Sequence, residues 1–409
     1  MFKYPQILGA AATGHRFLAL DPLRFGAMEL RPNETQLLVQ KTAREFSDQV
    51  LRPRARERDE KSIFPREEIR ELGKLGLLAV NVPEELGGSA AGVVSYSLAM
   101  QEIARGCAST AVTMAVTNMV GEVIAAFGSE EQRKRHCPKL ADGTYAAGSF
   151  ALSETEAGSD PGAMRTTATK DGNEWILNGS KCWITSGAHS GVFVVWARTG
   201  DLKELPGTRG ITCFLVEPGT KGFRVGRAED KLGIRGSNTV SLEFEDCRIP
   251  ASAELGVRNG GFKIAMMALD GGRIGISSQA LGIARAALDD SVKYAKERKQ
   301  FGKDLSKFQA IQWKIANMRT DIDAAHLLTM QAASKKEKGV AFSKEASMAK
   351  LFSTEMAQRV CNHAVQIFGG YGYIREFPVE RYLRDVRVTT IYEGTSEVQR
   401  IVIARSMLA

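Results

Sequence analysis

The chain has 409 residues, 44% hydrophobic and 25% charged, which suits two or three globular domains with sizeable cores. Its net charge of +8, from 55 basic and 47 acidic residues, is spread along the chain rather than gathered in a tail. That argues against nucleic-acid binding and equally suits a phosphate-bearing ligand or an acidic protein partner. No apolar run reads as approaching the ~20 residues needed to span a bilayer. The six cysteines (Cys107, Cys137, Cys182, Cys213, Cys247 and Cys361) form no CxxC pair, and five scattered histidines complete no metal or haem-attachment signature. They read as reduced, mostly buried thiols in a reducing compartment.

Residues 1–29 look unlike the rest and are expected to be a disordered extension, with Met28 as an alternative start. The apolar stretch there is too short and interrupted for a secretory signal, and a weak transit peptide is the least favoured alternative because Arg and Ser are sparse. From 30 to 144 the pattern predicts helices. Leu37, Leu38, Ala43, Phe46 and Val50 give one apolar face, and Val112, Ala115, Val116, Met119, Val120 and Val123 give another. Asn81 to Gly88 interrupts them as a loop, and Gly128-Ser129-Glu130 ends one helix and caps the next. From 145 to 258 short β-rich runs take over: Trp175–Leu177, Val192–Trp196, Ile211–Val216 and Val240–Phe244. Turn signals at Asp171-Gly172-Asn173, Asn178-Gly179 and Pro218-Gly219 separate them, which predicts an antiparallel barrel or sandwich rather than βαβ units. From 259 to 409 long bundle helices return over Leu281–Arg298, Phe308–Lys335 and Phe342–Phe368, the last stopped by Gly369-Gly370.

Several short motifs could carry chemistry, and each has a plain structural reading. The loop from Ala151 through Ser153, Gly158 and Ser159 offers hydroxyls and backbone N–H groups that can meet a heteroaromatic ring and phosphates, or it is only a linking turn. No GxGxxG follows a predicted strand, which disfavours a nicotinamide-binding Rossmann domain. Trp183-Ile184-Thr185 could cover a flat cofactor, or be a core Trp in a strand. Asp270-Gly271-Gly272-Arg273 places two adjacent glycines in a helix, each costing roughly 1 kcal/mol against Ala. Close approach of a ligand would justify that, and so would a helix-packing notch. Arg298, before Phe301-Gly302, suits a pyrophosphate or complements a helix C-terminus. Gln366-Ile367-Phe368-Gly369-Gly370 suits backbone approach to a ligand or a simple C-cap. Finally, Ile391-Tyr392-Glu393-Gly394-Thr395-Ser396-Glu397 sets a carboxylate in a turn before a helix. Ser396 and Gln399 fit a capping box with Val398–Met407 helical. Glu393 could accept a proton there, or merely favour a positive helix end.

Taken in order, Ser-Glu-x-x-x-Gly-Ser-Asp, Trp-Ile-Thr, Lys231-Leu232-Gly233-Ile234-Arg235, Asp-x-Gly-Arg, Glu-Arg-x-x-Phe-Gly, Phe-Gln and Ile-Tyr-Glu-Gly-Thr-Ser-Glu resemble the acyl-CoA dehydrogenase family. Its short-chain (butyryl-CoA-type) members are the nearest match, over about Leu30 to Leu408. The resemblance implies an α+β fold: a helical N-terminal domain, an antiparallel β-barrel and a C-terminal four-helix bundle. It implies non-covalent FAD, a homotetramer, an acyl-CoA substrate and electron-transfer flavoprotein as oxidant. The setting would be a bacterial cytoplasm, or the mitochondrial matrix in a eukaryote.

On matching positions, Phe150, Ala151, Leu152, Ser153, Gly158, Ser159, Trp183, Ile184 and Thr185 would contact FAD. Arg298, Phe301, Gln309 and Gln366 to Gly370 would hold the FAD of a neighbouring subunit, and Thr395, Ser396 and Glu397 would also touch FAD. Ser159, Asp270, Gly271, Gly272, Arg273 and Gly394 would line the acyl-CoA site, with Tyr96 to Met119 lining the acyl pocket. Glu393 would remove the α-proton while the β-hydrogen leaves as hydride to flavin N5, giving a trans-2-enoyl-CoA.

Two departures matter. The family's flavin loop usually reads Thr-Glu-Pro-Gly, whereas this chain has Ser153-Glu154-Thr155-Glu156, so Ser153 and Ser159 are better contacts than Thr155 or Glu156. Some branched-chain members carry their base where this chain has Gly272, which leaves Glu393 without a rival. For Glu393, burial would raise the pKa and the helix N-terminus would lower it. An acyl-CoA oxidase, or a non-catalytic flavin- or CoA-binding protein on the same scaffold, are the alternatives.

Overall fold

The computed structural model describes residues 32–201 and 203–408; the extension expected over 1–29 lies outside them. The helical segment holds α1 (Glu34–Phe46), α2 (Arg52–Lys61), α3 (Arg66–Lys74), α4 (Val93–Gly106), α5 (Ala108–Phe127) and α6 (Glu130–Ala141). Capping boxes start two of them: Asn33 with Gln36 for α1, and Ser129 with Gln132 for α6. The first predicted apolar face is only half right. Ala43 and Phe46 are buried, but Leu37 and Leu38 point to solvent. The second, on α5, is buried at every named position. Contrary to the reading of apolar runs, α5 is long and apolar enough to cross a membrane, but 78% of that stretch is buried inside the fold. It is a core helix, apolar all round because neighbours cover it all round.

The middle segment has β1 (Gly148–Ala151), β2 (Thr167–Asp171), β3 (Glu174–Thr185), β4 (Val192–Arg198), β5 (Ile211–Val216), β6 (Phe223–Ala228), β7 (Thr239–Pro250) and β8 (Glu254–Leu255). They form one eight-stranded sheet in the order β6-β7-β3-β2-β4-β5-β8, with β1 added on β4. Most pairs are antiparallel, as expected, but β1 and β2 each run parallel to β4. Asp171-Gly172-Asn173 makes the β2–β3 hairpin. Asn178-Gly179, expected to be a turn, instead continues β3: Asn178 lies opposite a bulge of β7 at Glu245-Asp246, where the register slips. Gly179 takes φ +138°, and a Cβ there would lie 2.7 Å from Thr166. Only glycine fits that close approach.

Strand β4 shows how the sheet joins the rest. Val192, Val194 and Trp196 face a core shared with α5 and the C-terminal helices, while Phe193, Val195 and Ala197 face a second core. In that second core Phe193 meets Phe223 of β6 with ring centroids 4.9 Å apart, although three strands lie between them in the sheet. The sheet therefore curls over on itself. Trp196 also donates from its indole N–H to the Gly261 carbonyl at 2.7 Å, fixing β4 against the next helix.

The C-terminal segment opens with α7 (Gly261–Glu297). A hairpin of β9 (Lys299–Gln300) and β10 (Lys303–Asp304) follows, then α8 (Gln309–Glu337), α9 (Ser343–Phe368), α10 (Val379–Val386) and α11 (Ser396–Leu408). Val120, Trp196 and Leu281, one from each segment, belong to a single hydrophobic cluster.

Candidate active site

Between α10 and α11 the chain turns sharply through Glu393 (φ +55°) and Gly394 (φ +87°). A left-handed glutamate costs roughly 1–2 kcal/mol, so its surroundings must hold it. They do so through the carbonyls. Lys350 of α9 donates to the Gly394 carbonyl at 2.7 Å. Gln399 donates to the same oxygen at 2.8 Å and to the Glu393 carbonyl at 3.2 Å. The Tyr392 hydroxyl donates to Gln279 of α7. The expected capping box is not formed. Thr395, not Ser396, caps α11, its Oγ1 accepting from Val398 N–H at 3.3 Å. Ser396 is the first helical residue, and its Oγ is buried without a partner. Gln399 is committed to the turn's carbonyls and cannot reach back to a cap.

The Glu393 side chain ends against Gly272 of α7. A Cβ on Gly272 would stand 2.5 Å from Glu393 Oε2 and 3.4 Å from Met119 Sδ. The unusual pair of helical glycines is thus explained at position 272: the carboxylate occupies the space a side chain would take. At position 271 the neighbour is Lys336, whose Nζ would lie 2.7 Å from a Cβ. Glu393 Oε2 is enclosed and has no hydrogen-bond partner among the described residues. Burial pushes the Glu393 carboxyl up to about 7, against the pull of Arg273 and Lys350. Arg273 is buried and engaged elsewhere, pairing with Asp270 and donating to Ser347 at 3.3 Å. Asp270 also accepts from Ser343 at 3.0 Å. Tyr96, Met119, Glu122, Met267, Gly271 and Gly272 line a narrow crevice beside the carboxylate. The Glu393 N–H finds no acceptor among the described residues. A carboxylate balanced near neutrality beside a free N–H can take a proton from a carbon whose carbonyl that N–H polarises.

A second group surrounds the start of the sheet. Phe150 and Ala151 end β1, and Leu152, Ser153, Gly158 and Ser159 follow in the loop. Two hydrogen bonds dock this loop on β3: Cys182 N–H to the Ser153 carbonyl at 3.0 Å, and Ser149 Oγ to the Thr185 carbonyl at 2.7 Å. Trp183 between them is no core residue. It takes φ +61° where the β3–β7 register slips, and it is 65% exposed. The bulge turns a large aromatic face outward next to Cys182, which is bonded to Ser153 of the loop; further along that loop Ser159 is exposed and a Cβ on Gly158 would meet nothing within 4 Å. An exposed Trp beside an open glycine loop fits a flat heteroaromatic group. Ala151, Leu152 and Ile184 are buried, so only their backbone can face it.

The third group sits at the far ends of α7 and α9. Arg298 lies over the Tyr371 ring at 5.2 Å, and Tyr294 stacks on Phe368 at 4.0 Å. Phe301 and Gly302 form the two-residue β9–β10 loop, both with positive φ as a type I′ turn requires. Phe301 is 92% exposed at its tip. Gln309, Gln366, Gly369 and Gly370 are exposed, whereas Ile367 and Phe368 are core side chains. Among the described residues no hydrogen bond joins this group to the Trp183 loop.

Family models described as the N-terminal, middle and C-terminal domains of acyl-CoA dehydrogenase match residues 33–144, 149–247 and 259–408. The chain belongs to the acyl-CoA dehydrogenase family. It is 49% identical to the human mitochondrial short-chain specific acyl-CoA dehydrogenase, covering 92% of this chain and 90% of that protein. The butyryl-CoA dehydrogenase structure of Megasphaera elsdenii superposes with a TM-score of 0.91 at 44% identity, over 93% of this chain and 100% of that one. A chain from a structure described as the electron transferring flavoprotein of Acidaminococcus fermentans gives the same values. This protein is an acyl-CoA dehydrogenase of the short-chain type, an FAD-dependent oxidoreductase acting on a CH–CH bond.

Two features of the dehydrogenase escaped the sequence reading. Lys350 lies fully buried beside the Glu393 turn. Its signal was a lysine on an otherwise small, apolar helix stripe running through Ala346, Ala349, Ser353 and Ala357. Glu154, in the loop after β1, is also buried. It accepts from the backbone of Arg165 (2.6 Å) and Thr166 (3.0 Å) and from Lys181 Nζ (2.8 Å). The atypical Thr155 and Glu156 beside it are exposed, and Glu156 pairs with Arg165 at 3.0 Å.

Proposed function

We propose that Glu393 is the base that removes the α-proton of a short acyl-CoA in this dehydrogenase. The supporting observation is the enclosed, unpartnered Glu393 Oε2 opposite Gly272. The thioester carbonyl would accept from the free Glu393 N–H, so that charge building on oxygen is stabilised as the proton leaves. Asp270, Gly271, Gly272, Arg273, Gly394 and Ser159 line the substrate path. When bound, FAD supplies the hydride acceptor for the β-carbon. Trp183, Ser153, Gly158, Ser159 and the backbone of Ala151, Leu152, Ile184 and Thr185 would hold its ring. Thr395, Ser396 and Glu397 would approach it from the α11 side.

The Arg298–Phe301–Gln309 and Gln366–Gly370 group would serve the FAD of a neighbouring protomer. A fully exposed phenylalanine on a rigid hairpin supports that assignment, as does exposed Trp313 on α8. The assembly we infer is a homotetramer, and the electron acceptor an electron-transfer flavoprotein. Six free cysteines suit a reducing compartment, a bacterial cytoplasm or a mitochondrial matrix.

The test is anaerobic bleaching of the bound flavin by butyryl-CoA in the wild type and in Glu393→Gln. Loss of rapid bleaching with FAD still bound is expected, and unchanged bleaching would overturn the base. A series from butyryl-CoA to palmitoyl-CoA should peak at the short end. Stoichiometric hydrogen peroxide under air would point to an oxidase instead.

A further inference from the structure

We propose that Lys350 is a positioning residue for catalysis: its buried ammonium clamps the Gly394 carbonyl and so holds the Glu393 turn in the left-handed geometry that aims the carboxylate at Gly272. The inference rests on Glu393 being the base. Lys350 is fully buried in the first half of α9 and, among the described residues, has one hydrogen-bond acceptor, the Gly394 carbonyl at 2.7 Å. An ammonium buried with a single neutral partner costs several kcal/mol unless a counter-charge is close. Burial indeed drives the Lys350 amine down to about 7, and Glu393 is the foremost group resisting that shift. The relation is mutual, since Lys350 and Arg273 are the cations that resist the upward push on Glu393.

The two cations are not equivalent. Arg273 is engaged by Asp270 and Ser347, whereas Lys350 has no carboxylate bonded to it. The other groups facing this pair are the Tyr96 and Tyr392 hydroxyls on the Glu393 side, with Glu122 beyond Tyr96, and Glu355 and Glu397 on the Lys350 side. Gln399 alone cannot replace the clamp. It shares one amide between two carbonyls and brings no charge.

A purely structural lysine would affect folding and leave proton affinity alone. A positioning lysine would affect both the rate and the pH at which the base works. Lys350→Gln keeps a donor and removes the charge, Lys350→Met removes both, and Lys350→Arg keeps both. With FAD content and thermal unfolding as controls, we expect the acid limb of the kcat/KM–pH profile to move upward by about half a pH unit or more in Lys350→Gln and Lys350→Met. Only Lys350→Met should also lose roughly tenfold in kcat. Lys350→Arg should restore both.

Infrared titration of the protonated carboxyl band, lost in Glu393→Gln, should show the same upward shift without turnover. If Lys350→Met does not accumulate as holoenzyme, Lys350→Gln carries the test alone. An unshifted profile and carboxyl titration in a folded, flavin-loaded Lys350→Gln would overturn the proposal and leave the Glu393 assignment standing. A fully active Glu393→Gln would instead overturn that assignment.

Discussion

The dehydrogenase encloses two carboxylates and treats them in opposite ways: Glu154 is buried, and Glu393 is half-buried with one oxygen shut away from solvent. Glu154, in the loop after β1, accepts from two backbone N–H groups and from Lys181, and these partners hold its carboxyl below the ordinary range although burial pushes the other way. Glu393 has an enclosed oxygen with no partner, and there burial prevails and raises the carboxyl to about 7. Enclosure is common to both, so enclosure alone does not separate them. What separates them is whether hydrogen bonds have already claimed the lone pairs. A claimed carboxylate is a structural strut, whereas an unclaimed one can exchange a proton.

The largest effect should come from removing the unclaimed one. Glu393→Gln is expected to slow flavin bleaching by butyryl-CoA by roughly 10²–10⁴-fold, the range for a positioned general base. In the wild type, proton abstraction needs the ionised form, so the rate should rise as pH increases through about 7. Stability should run the other way. A carboxyl raised from 4.5 to about 7 in the folded state favours the fold fully below pH 4.5, and that contribution fades as pH rises through 7. Thermal unfolding should therefore find Glu393→Gln more stable than the wild type above pH 7, with the gap closing towards acid. Equal melting temperatures across that range would sink the contrast.

Lys181→Met attacks the claimed carboxylate and should mainly cost stability, about 3 kcal/mol, because Glu154 is left buried with its charge only partly met. Chemical denaturation at pH 7 reads this directly. The linkage also has the opposite sign to that of Glu393. Its depressed carboxyl contributes above the ordinary pKa, and the contribution is lost as pH falls through the folded value. Enzyme that retains FAD should keep its wild-type pH profile for flavin reduction.

The order of helices and strands was legible from periodicity and turn residues, and the Glu393 turn from its motif. What was not legible came mostly from contacts distant in sequence. Asn178-Gly179 has the composition of a hairpin turn, but β7 pairs along both sides of it and takes up the slip in its own bulge, so the glycine stays in the strand. Leu37 and Leu38 have the right period for a buried face, but among the described residues no element covers that side of α1. Ser396 and Gln399 have capping-box spacing, yet Gln399 is drawn to two carbonyls across the turn. Lys350 looked like any helical lysine until α9 packed it beside position 394. At position 179 and at Lys350 a partner distant in sequence decided the outcome, whereas at Gln399 two carbonyls of the adjoining turn did.

Gly272→Ala tests the space rather than the charge. A Cβ there would stand 2.5 Å from Glu393 Oε2, so the carboxylate must swing aside. Within helix α7 the same change should stabilise by up to about 1 kcal/mol, since alanine is the better helix former. We expect kcat to fall roughly tenfold to a hundredfold, with FAD binding intact. A variant that is more stable and as fast as the wild type would show that Glu393 does not use this space.

The smallest change in stability should come from Trp183→Ala. An exposed tryptophan buries little in the folded chain, so the direct loss should stay within about 0.5 kcal/mol in FAD-free protein. Removing a side chain at φ +61° does not relieve the strain either, because alanine still carries a Cβ. FAD should nonetheless bind roughly tenfold more weakly, one aromatic face being worth ~1 kcal/mol or more. Unfolding measured with and without added FAD separates the two effects. The apo curves should coincide and the holo curves should part. If instead the apo curves part and FAD affinity is unchanged, Trp183 is a structural residue, and the bulge that exposes it serves the sheet rather than the cofactor.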